Sequence, residues 1–429
     1  MTSSTLTPAA PIQGPVTQRT QLANGLTVII TPNPVADIVS AHIFIKAGQA
    51  QETSETAGLF TLLTDVLIKG TARKTSLQIA EAVESIGASF GSDTALDYSQ
   101  VSFKAVSADF ESMLSLAAEV IREPSFRASE VELEKRLILQ GIRSLKEQPF
   151  SVAYNRLRET LYTGHPYGLS HAESEQAVAT FTRQDLINAC EQSFRPDNIV
   201  ISMAGRIEPE QAIQLVDRLF GDWQQPTEPL SKVAFPTIKA AAQQTVTVQN
   251  TNQAFVILGH LASAVSHSDY PALKLMSTYL GNGLSSRLFV ELREKKGLAY
   301  DVSAFYPTRL DTSAFVAYIG TAPQNVQVAL EGLQYELDRL KTTLLTSKEL
   351  QVAKNKLLGQ YALSKQTNSQ IAQALGWYEV IGLGVEFDEG FQQAIAAVTL
   401  SDIQSAAQRH FVEQHISILG PAEAVSSFT

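Results

Sequence analysis

Cysteine is nearly absent from this chain of 429 residues: Cys190 stands alone, so no disulfide forms within the chain and no cysteine-based metal site exists. Histidine is almost as sparse. Its seven occurrences are His42, His165, His171, His260, His267, His410 and His415, and no two are three or four positions apart. Two imidazoles one helical turn apart on a single helix face are therefore excluded. No apolar run approaches the roughly 18 residues that a membrane-spanning helix needs. Basic residues are outnumbered, 33 against 43 acidic, for a net charge of −10. A chain this acidic is not expected to hold nucleic acid on a broad basic face. The first residues, MTSSTLTPAAPIQGPV, have no basic start and no apolar stretch, which does not read as a secretory leader. The expectation is a cytoplasmic protein; a single cysteine is equally compatible with a periplasm if a leader has been removed.

With 44% hydrophobic and 18% charged residues, large cores can be built. The pattern falls into two halves of similar size. In the first, 17–22 and 26–31 flank Asn24-Gly25 and predict a hairpin with a two-residue turn. A strand follows at 39–46, helices at 55–68 and 76–86, a strand at 99–106 and a helix at 109–121. A long helical region over 129–162 breaks at Gln148-Pro149. A helix over 183–194, a strand over 198–204 and a helix over 209–220 complete this half. The stretch 221–244, rich in Pro, Gln and Thr, predicts a linker. The second half repeats the order: strands at 245–249 and 254–259, helices at 269–280 and 285–296, strands at 300–306 and 313–319. Helical segments over 325–340, 347–382 and 400–411 precede a last strand at 416–419. The expected organisation is an arm (1–16), an α+β domain (17–220), the linker (221–244) and a second α+β domain (245–429). The fold class is thus α+β: two homologous α/β-sandwich halves, each a mostly antiparallel sheet with long helices.

Two segments carry chemistry. The first is Gly58 to Thr71, GLFTLLTDVLIKGT. It resembles the zinc helix of the pitrilysin/insulysin-like (inverzincin, processing-peptidase) metallopeptidases, which reads Gly-x-Ala-His-Phe-Leu-Glu-His-Met-x-Phe-Lys-Gly-Thr. Aligned on Lys69-Gly70-Thr71, the family's two histidines fall on Thr61 and Asp65 and its catalytic glutamate on Thr64. The third ligand of the family, a glutamate about 75 residues further on in a helix like Leu-Glu-Glu-Ile-Arg, falls on Gly141, or on Gln140 in the neighbouring register. One carboxylate cannot replace the three protein ligands of catalytic zinc. Residue by residue, Thr61–Asp65 reads as an amphipathic helix with Leu59, Leu62, Leu63 and Val66 turned inward.

The second segment, Leu280 to Tyr300 (LGNGLSSRLFVELREKKGLAY), is similar to the substrate-gripping half of the same family. An arginine followed seven residues later by a tyrosine is intact here as Arg293 and Tyr300. Ser285 or Ser286 can cap this helix, Leu288, Phe289 and Leu292 form its apolar stripe, and Gly297 can end it. The resemblance implies that Arg293 donates to substrate carbonyls and Tyr300 to the oxyanion of the tetrahedral intermediate. Without it, the pair reads as an arginine on a solvated face and a half-buried tyrosine. Gly281, Asn282 and Gly283 form either a loop that lets a substrate backbone approach or a plain turn between helices. Further phrases, His165-Pro166-Tyr167-Gly168 and 347–360, extend the likeness over nearly the whole chain.

The resemblance implies a subunit that binds no metal or other cofactor itself. A homologous partner carrying His-x-x-Glu-His and Zn²⁺ would close on it like a clamshell around unfolded peptides, with no nucleic acid and no membrane span involved. Two other readings stay open: a structural subunit of a larger assembly, and a stand-alone peptide-binding pseudoenzyme.

Overall fold

The computed structural model describes residues 16–230, 234–239 and 241–428; the expected arm, apart from Val16, lies outside the described residues. The first half runs β1 (Gln18–Gln21), β2 (Thr27–Pro32), β3 (Ile38–Ile45), α1 (Leu59–Leu67), α2 (Ser76–Glu84), β4 (Ser89–Thr94), β5 (Ser99–Val106), α3 (Phe110–Arg122), α4 (Ala128–Lys146), α5 (Pro149–Leu161), α6 (His171–Thr180), α7 (Arg183–Ser193), β6 (Ile199–Gly205) and α8 (Pro209–Phe220). The second runs β7 (Gln243–Val248), β8 (Ala254–Ala262), α9 (Tyr270–Gly281), a π-helical turn (Phe289–Lys295), β9 (Ala299–Phe305), β10 (Ser313–Thr321), α10 (Val326–Thr342), α11 (Ser347–Leu363), α12 (Asn368–Val380), α13 (Phe387–Ala397), α14 (Leu400–His410), β11 (His415–Gly420) and α15 (Ala422–Val425).

The duplication expected from element order is visible in the sheets. The first has the strand order β1-β2-β6-β3-β5-β4 and the second β7-β11-β8-β10-β9. Once β1 is set aside, the two orders are the same. Each sheet has one parallel pair, β2 with β6 and β7 with β11, and is otherwise antiparallel.

The central strands of both sheets are buried on both faces, and the two-residue period of a strand decides what each residue touches. Val28, Ile30 and Ile43 pack with Leu62 and Leu63 of α1 in one core. Their neighbours Ile29 and Phe44 face the other way, into a core shared with Leu375 and Tyr378 of α12. In the second sheet, Ile257, Val316 and Leu419 meet Ala153, Leu157 and Leu161 of α5. The halves therefore exchange helices: α5 of the first covers the second sheet, and α12 of the second covers the first. The approach is close. A Cβ on Gly376 of α12 would lie 2.3 Å from Phe44 Cε2, and one on Gly259 of β8 would lie 2.9 Å from Leu157 Cδ2. Arg19 of β1 clasps Glu379 with two bonds of 2.7 and 3.0 Å.

The connecting stretch is packed down at Phe235, which stacks on His165 (centroids 5.2 Å apart, 13° between planes). His165 Nε2 in turn reaches Asp311 Oδ2 at 3.1 Å, and the Tyr167 hydroxyl donates to Asp97 at 2.7 Å. His165-Pro166-Tyr167-Gly168 thus ties the two halves together.

Several local expectations change. The β1–β2 turn holds three residues, not two: Leu22 N–H donates to the Leu26 carbonyl (2.8 Å), and Gly25 takes φ 90°. The helix expected from residue 55 begins at Leu59, because Gly58 in front of it has φ 90°. Neither Ser285 nor Ser286 caps the following turn, and Ser286 Oγ is buried without a partner. Four of these elements had no counterpart in the sequence reading: β4, α6, α13 and α15.

Candidate functional site

Helix α1 has no side-chain cap at Gly58. Glu52 serves instead from a distance: its carboxylate accepts from Gly58 N–H (2.8 Å) and Phe60 N–H (2.9 Å), satisfying two of the orphan donors at the helix start. It is only 4% exposed. Burial pushes its pKa up to about 7 against the opposing pull of those two bonds.

Thr61, Thr64 and Asp65 follow on the same helix. Thr61 Oγ1 accepts from Gln49 Nε2 at 3.2 Å. Thr64 is 1% exposed, and its hydroxyl donates to the Phe60 carbonyl (3.0 Å) while lying 2.9 Å from Thr94 Oγ1 of β4. Ser92 Oγ also donates to the Thr64 carbonyl at 2.8 Å, so a threonine-serine seam closes α1 onto β4. Asp65 is half-buried; burial and then the Glu134 charge push its pKa to about 6, with Lys69 opposing. Lys69 forms a 2.9 Å ion pair with Glu134, a buried residue of α4. Gly141 lies seven residues after Glu134, two helical turns along the same face. It is exposed, and a Cβ there would meet nothing within 4 Å.

This donor set does not fit catalytic zinc, which takes three protein ligands and a nearby base. Of the positions matched to ligands and base only Asp65 has a carboxylate; Glu134, the other acid beside it, is tied to Lys69, position 141 has no side chain, and the Thr64 hydroxyl is turned into the β4 seam. The sequence reading missed Glu134 and used Lys69 to set the alignment without foreseeing their ion pair; both lie beside Asp65. The two-turn spacing from Glu134 to Gly141 was the available signal for the first.

Arg293 and Tyr300 are brought together. The π-helical turn over Phe289–Lys295 widens the helix just where Arg293 sits; such turns occur frequently at functional sites. Gly297 at φ 65° ends it, with Gly297 N–H donating to the Arg293 carbonyl (3.0 Å) and Leu298 N–H to the Leu292 carbonyl (2.9 Å). The chain then enters edge strand β9 at Ala299. Arg293 Nη1 donates to the main-chain carbonyl of Tyr300 at 3.0 Å, and its guanidinium lies over the Phe289 ring, 4.9 Å from the centroid. The Tyr300 side chain stands out from the strand, 58% exposed.

The loop before this turn is held by packing. A Cβ on Gly281 would lie 1.9 Å from Ala304 N, so only glycine lets α9 approach β9. Ser303 Oγ donates to the Gly281 carbonyl at 2.6 Å, and the Asn282 amide donates to Gln360 at 2.6 Å. Gly283, at φ 79°, turns the chain outward toward exposed Leu284.

Residues 27–175 match the family described as Insulinase (Peptidase family M16), and residues 180–357 match the Peptidase M16 inactive domain. The chain belongs to the M16 peptidase family. Among M16 relatives it is 28% identical to an uncharacterized zinc protease, YmxG, of Bacillus subtilis over 403 residues, covering 93% of this chain and 97% of that one. An uncharacterized zinc protease of Rickettsia felis is 26% identical over 404 residues, 94% of this chain and 97% of that one. A protease from Helicobacter pylori has the same fold, with a TM-score of 0.89 at 22% identity over 95% of this chain and 100% of that one. So does a peptidase M16 inactive domain from Pseudomonas fluorescens, at 0.86 and 25% identity, covering 94% and 98%. The M16 match over 27–175 therefore coexists with a helix α1 that carries no zinc donor set. Among the described residues no helix is long and apolar enough to cross a membrane.

Proposed function

We propose that this chain is the subunit of a two-chain M16 zinc metalloendopeptidase that carries no catalytic zinc. The observation that carries the reading is an asymmetry: Arg293 and Tyr300 are kept side by side at a helix-to-strand junction, while α1 and α4 offer no zinc donor set. The metal and the water it activates belong to a homologous subunit with His-x-x-Glu-His. Across the cavity between them, the exposed Tyr300 hydroxyl donates to the oxyanion of the tetrahedral intermediate, and Arg293 donates to peptide carbonyls. Gly283, outermost in the Gly281-Asn282-Gly283 loop, leaves room for an extended peptide backbone.

One observation favours a second reading. Arg293 is already engaged, on a main-chain carbonyl and over an aromatic ring, as a purely structural arginine would be. That suits a non-catalytic subunit of a larger assembly or a stand-alone peptide-binding protein.

Co-purification from the native source separates the readings: a zinc-bearing homologue of similar size, a large complex, or no partner. With the zinc partner in hand, Tyr300→Phe is expected to lower kcat by about 10²–10³, the usual cost of one oxyanion donor, with assembly intact by gel filtration. Arg293→Ala is expected to raise KM and lower kcat together. Both variants within twofold of wild type would remove the catalytic role and leave the structural reading.

A further inference from the structure

At the far end of α9 from the Gly281 loop, about 18 Å away by the rise of a 12-residue helix, three side chains from distant parts of the sequence converge. His267 and Asp269 come from the chain leading into α9, and His410 is the last residue of α14. One ligand atom from each lies within 4.8 Å of the others. No sequence spacing announces the group, since more than a hundred residues separate His410 from the other two.

We propose that His267, Asp269 and His410 form a binding site for a divalent transition ion of the Zn²⁺ or Co²⁺ class, joining the start of α9 to the end of α14. Two imidazoles and one carboxylate are a donor set suited to such ions. The distances agree. Two ligands of one tetrahedral ion, each at 2.0–2.1 Å from it, stand about 3.3 Å apart. Asp269 Oδ2 is 2.9 Å from His410 Nε2 and 3.8 Å from His267 Nδ1, values that bracket this separation. Small side-chain rotations bring both to it.

Each imidazole gives up a hydrogen bond that it makes in the structure. His267 Nδ1 accepts the Asp269 backbone N–H at 3.0 Å, so its one lone pair is engaged there, and the ion must displace that hydrogen bond, which the half-exposed ring gives up by rotating. The ion takes the place of the single proton between His410 Nε2 and Asp269 Oδ2. Access is open from one side: the Asp269 side chain is 9% exposed and that of His267 50%.

Arg409 competes for the same carboxylate, with bonds of 2.6 Å to Oδ1 and 2.9 Å to Oδ2. It orients Asp269 with Oδ2 toward the two rings, and its charge keeps the affinity moderate. The site is separate from α1 and does not depend on the peptidase reading.

The test is titration of the metal-stripped full chain with Co²⁺, read by its visible d–d absorption, with Zn²⁺ added in competition. One saturable equivalent is expected, displaced by Zn²⁺, and Zn²⁺ should raise the thermal unfolding midpoint. His267→Ala, at a half-exposed position that leaves folding intact, and His410→Gln should each weaken binding about tenfold or more. Asp65→Asn on α1 should leave binding unchanged. Absence of saturable Co²⁺ binding at millimolar concentration would overturn the proposal. So would binding that both histidine variants leave untouched, or binding that Asp65→Asn abolishes.

Discussion

On the resemblance of α1 to the family's zinc helix, Thr64 falls where the catalytic glutamate stands, and the structure says what placing a glutamate there would do. At 1% exposure, with its hydroxyl in the seam to Thr94 and Phe60, position 64 offers a carboxylate neither water nor a cation. A Glu placed there stays neutral, which at pH 7 costs about 1.4 kcal/mol for each of the roughly 2.7 pH units above its ordinary pKa, close to 4 kcal/mol. Losing the threonine contacts adds about 1 kcal/mol. Thr64→Glu is therefore expected to destabilise the chain by about 5 kcal/mol at pH 7, a large part of the roughly 5–15 kcal/mol that holds a domain folded. Because the new carboxyl is neutral when folded, the penalty shrinks on acidification, by about 2–3 kcal/mol at pH 5. Thr64→Val, which removes only the hydroxyl, should cost about 1 kcal/mol at both pH values. Urea denaturation followed by far-UV circular dichroism at pH 5 and 7 measures all of this. By contrast, Thr61→His, Asp65→His and Gly141→Glu fall at half-buried or open positions and are expected to be tolerated. The three ligands can be rebuilt, and the base cannot. A Thr64→Glu protein within 1 kcal/mol of Thr64→Val at pH 7 would refute the closed seam between α1 and β4.

Glu52 has its folded-state pKa raised by burial to about 7, so its contribution is full below about pH 4.5 and is lost as pH rises through 7. Wild type should lose about 2–3 kcal/mol between pH 5 and 8 through this group, and Glu52→Gln should flatten that part of the profile in the same urea series. Cys190 is buried and burial pushes its thiol up to about 12, so a thiol reagent should leave the native protein unlabelled and react only after denaturant is added. Gly281→Ala drives a Cβ against the main chain of Ala304 and should cost about 3 kcal/mol or more, seen as a lowered thermal midpoint, whereas Gly141→Ala should be neutral or stabilising.

What the sequence made legible was whatever is settled by neighbours in the chain. The break between α4 and α5 follows from Pro149, and the inward stripe of α1 follows from the spacing of Leu62, Leu63 and Val66. Strand β4 was missed because SFGSDT holds one glycine, no Val or Ile and an exposed edge; its pairing with β5 makes it a strand. Helix α6 is too weakly amphipathic to show a period, although its capping box, Ser170 with Glu173, was there to be read. Arg293 and Tyr300 were legible by their spacing, but the bond from the guanidinium to the Tyr300 carbonyl was not, because it depends on the extra residue in the π-helical turn. Nothing local tells α12 that it will lie on β3 and β6, or His267 that it will meet His410. Those contacts are made by the way the two sheets are placed, and that is a property of the whole chain.

The exchanged helices have a consequence for any half-length version of this protein. A fragment ending after α8 would fold its sheet with one face bare, since the helix that covers Ile29 and Phe44 arrives from residues 368–380, and its own α5 would project with Leu157 and Leu161 unhoused. Two copies of such a fragment could satisfy one another by trading α5 for α5, which is the geometry of a domain-swapped homodimer. The full chain is that dimer written as one polypeptide, with residues 221–242 as the tether that turns a second-order encounter into a permanent one. Cutting the tether should therefore leave a nicked protein that holds together, while separate expression of the halves should yield fragments that seek each other, or aggregate.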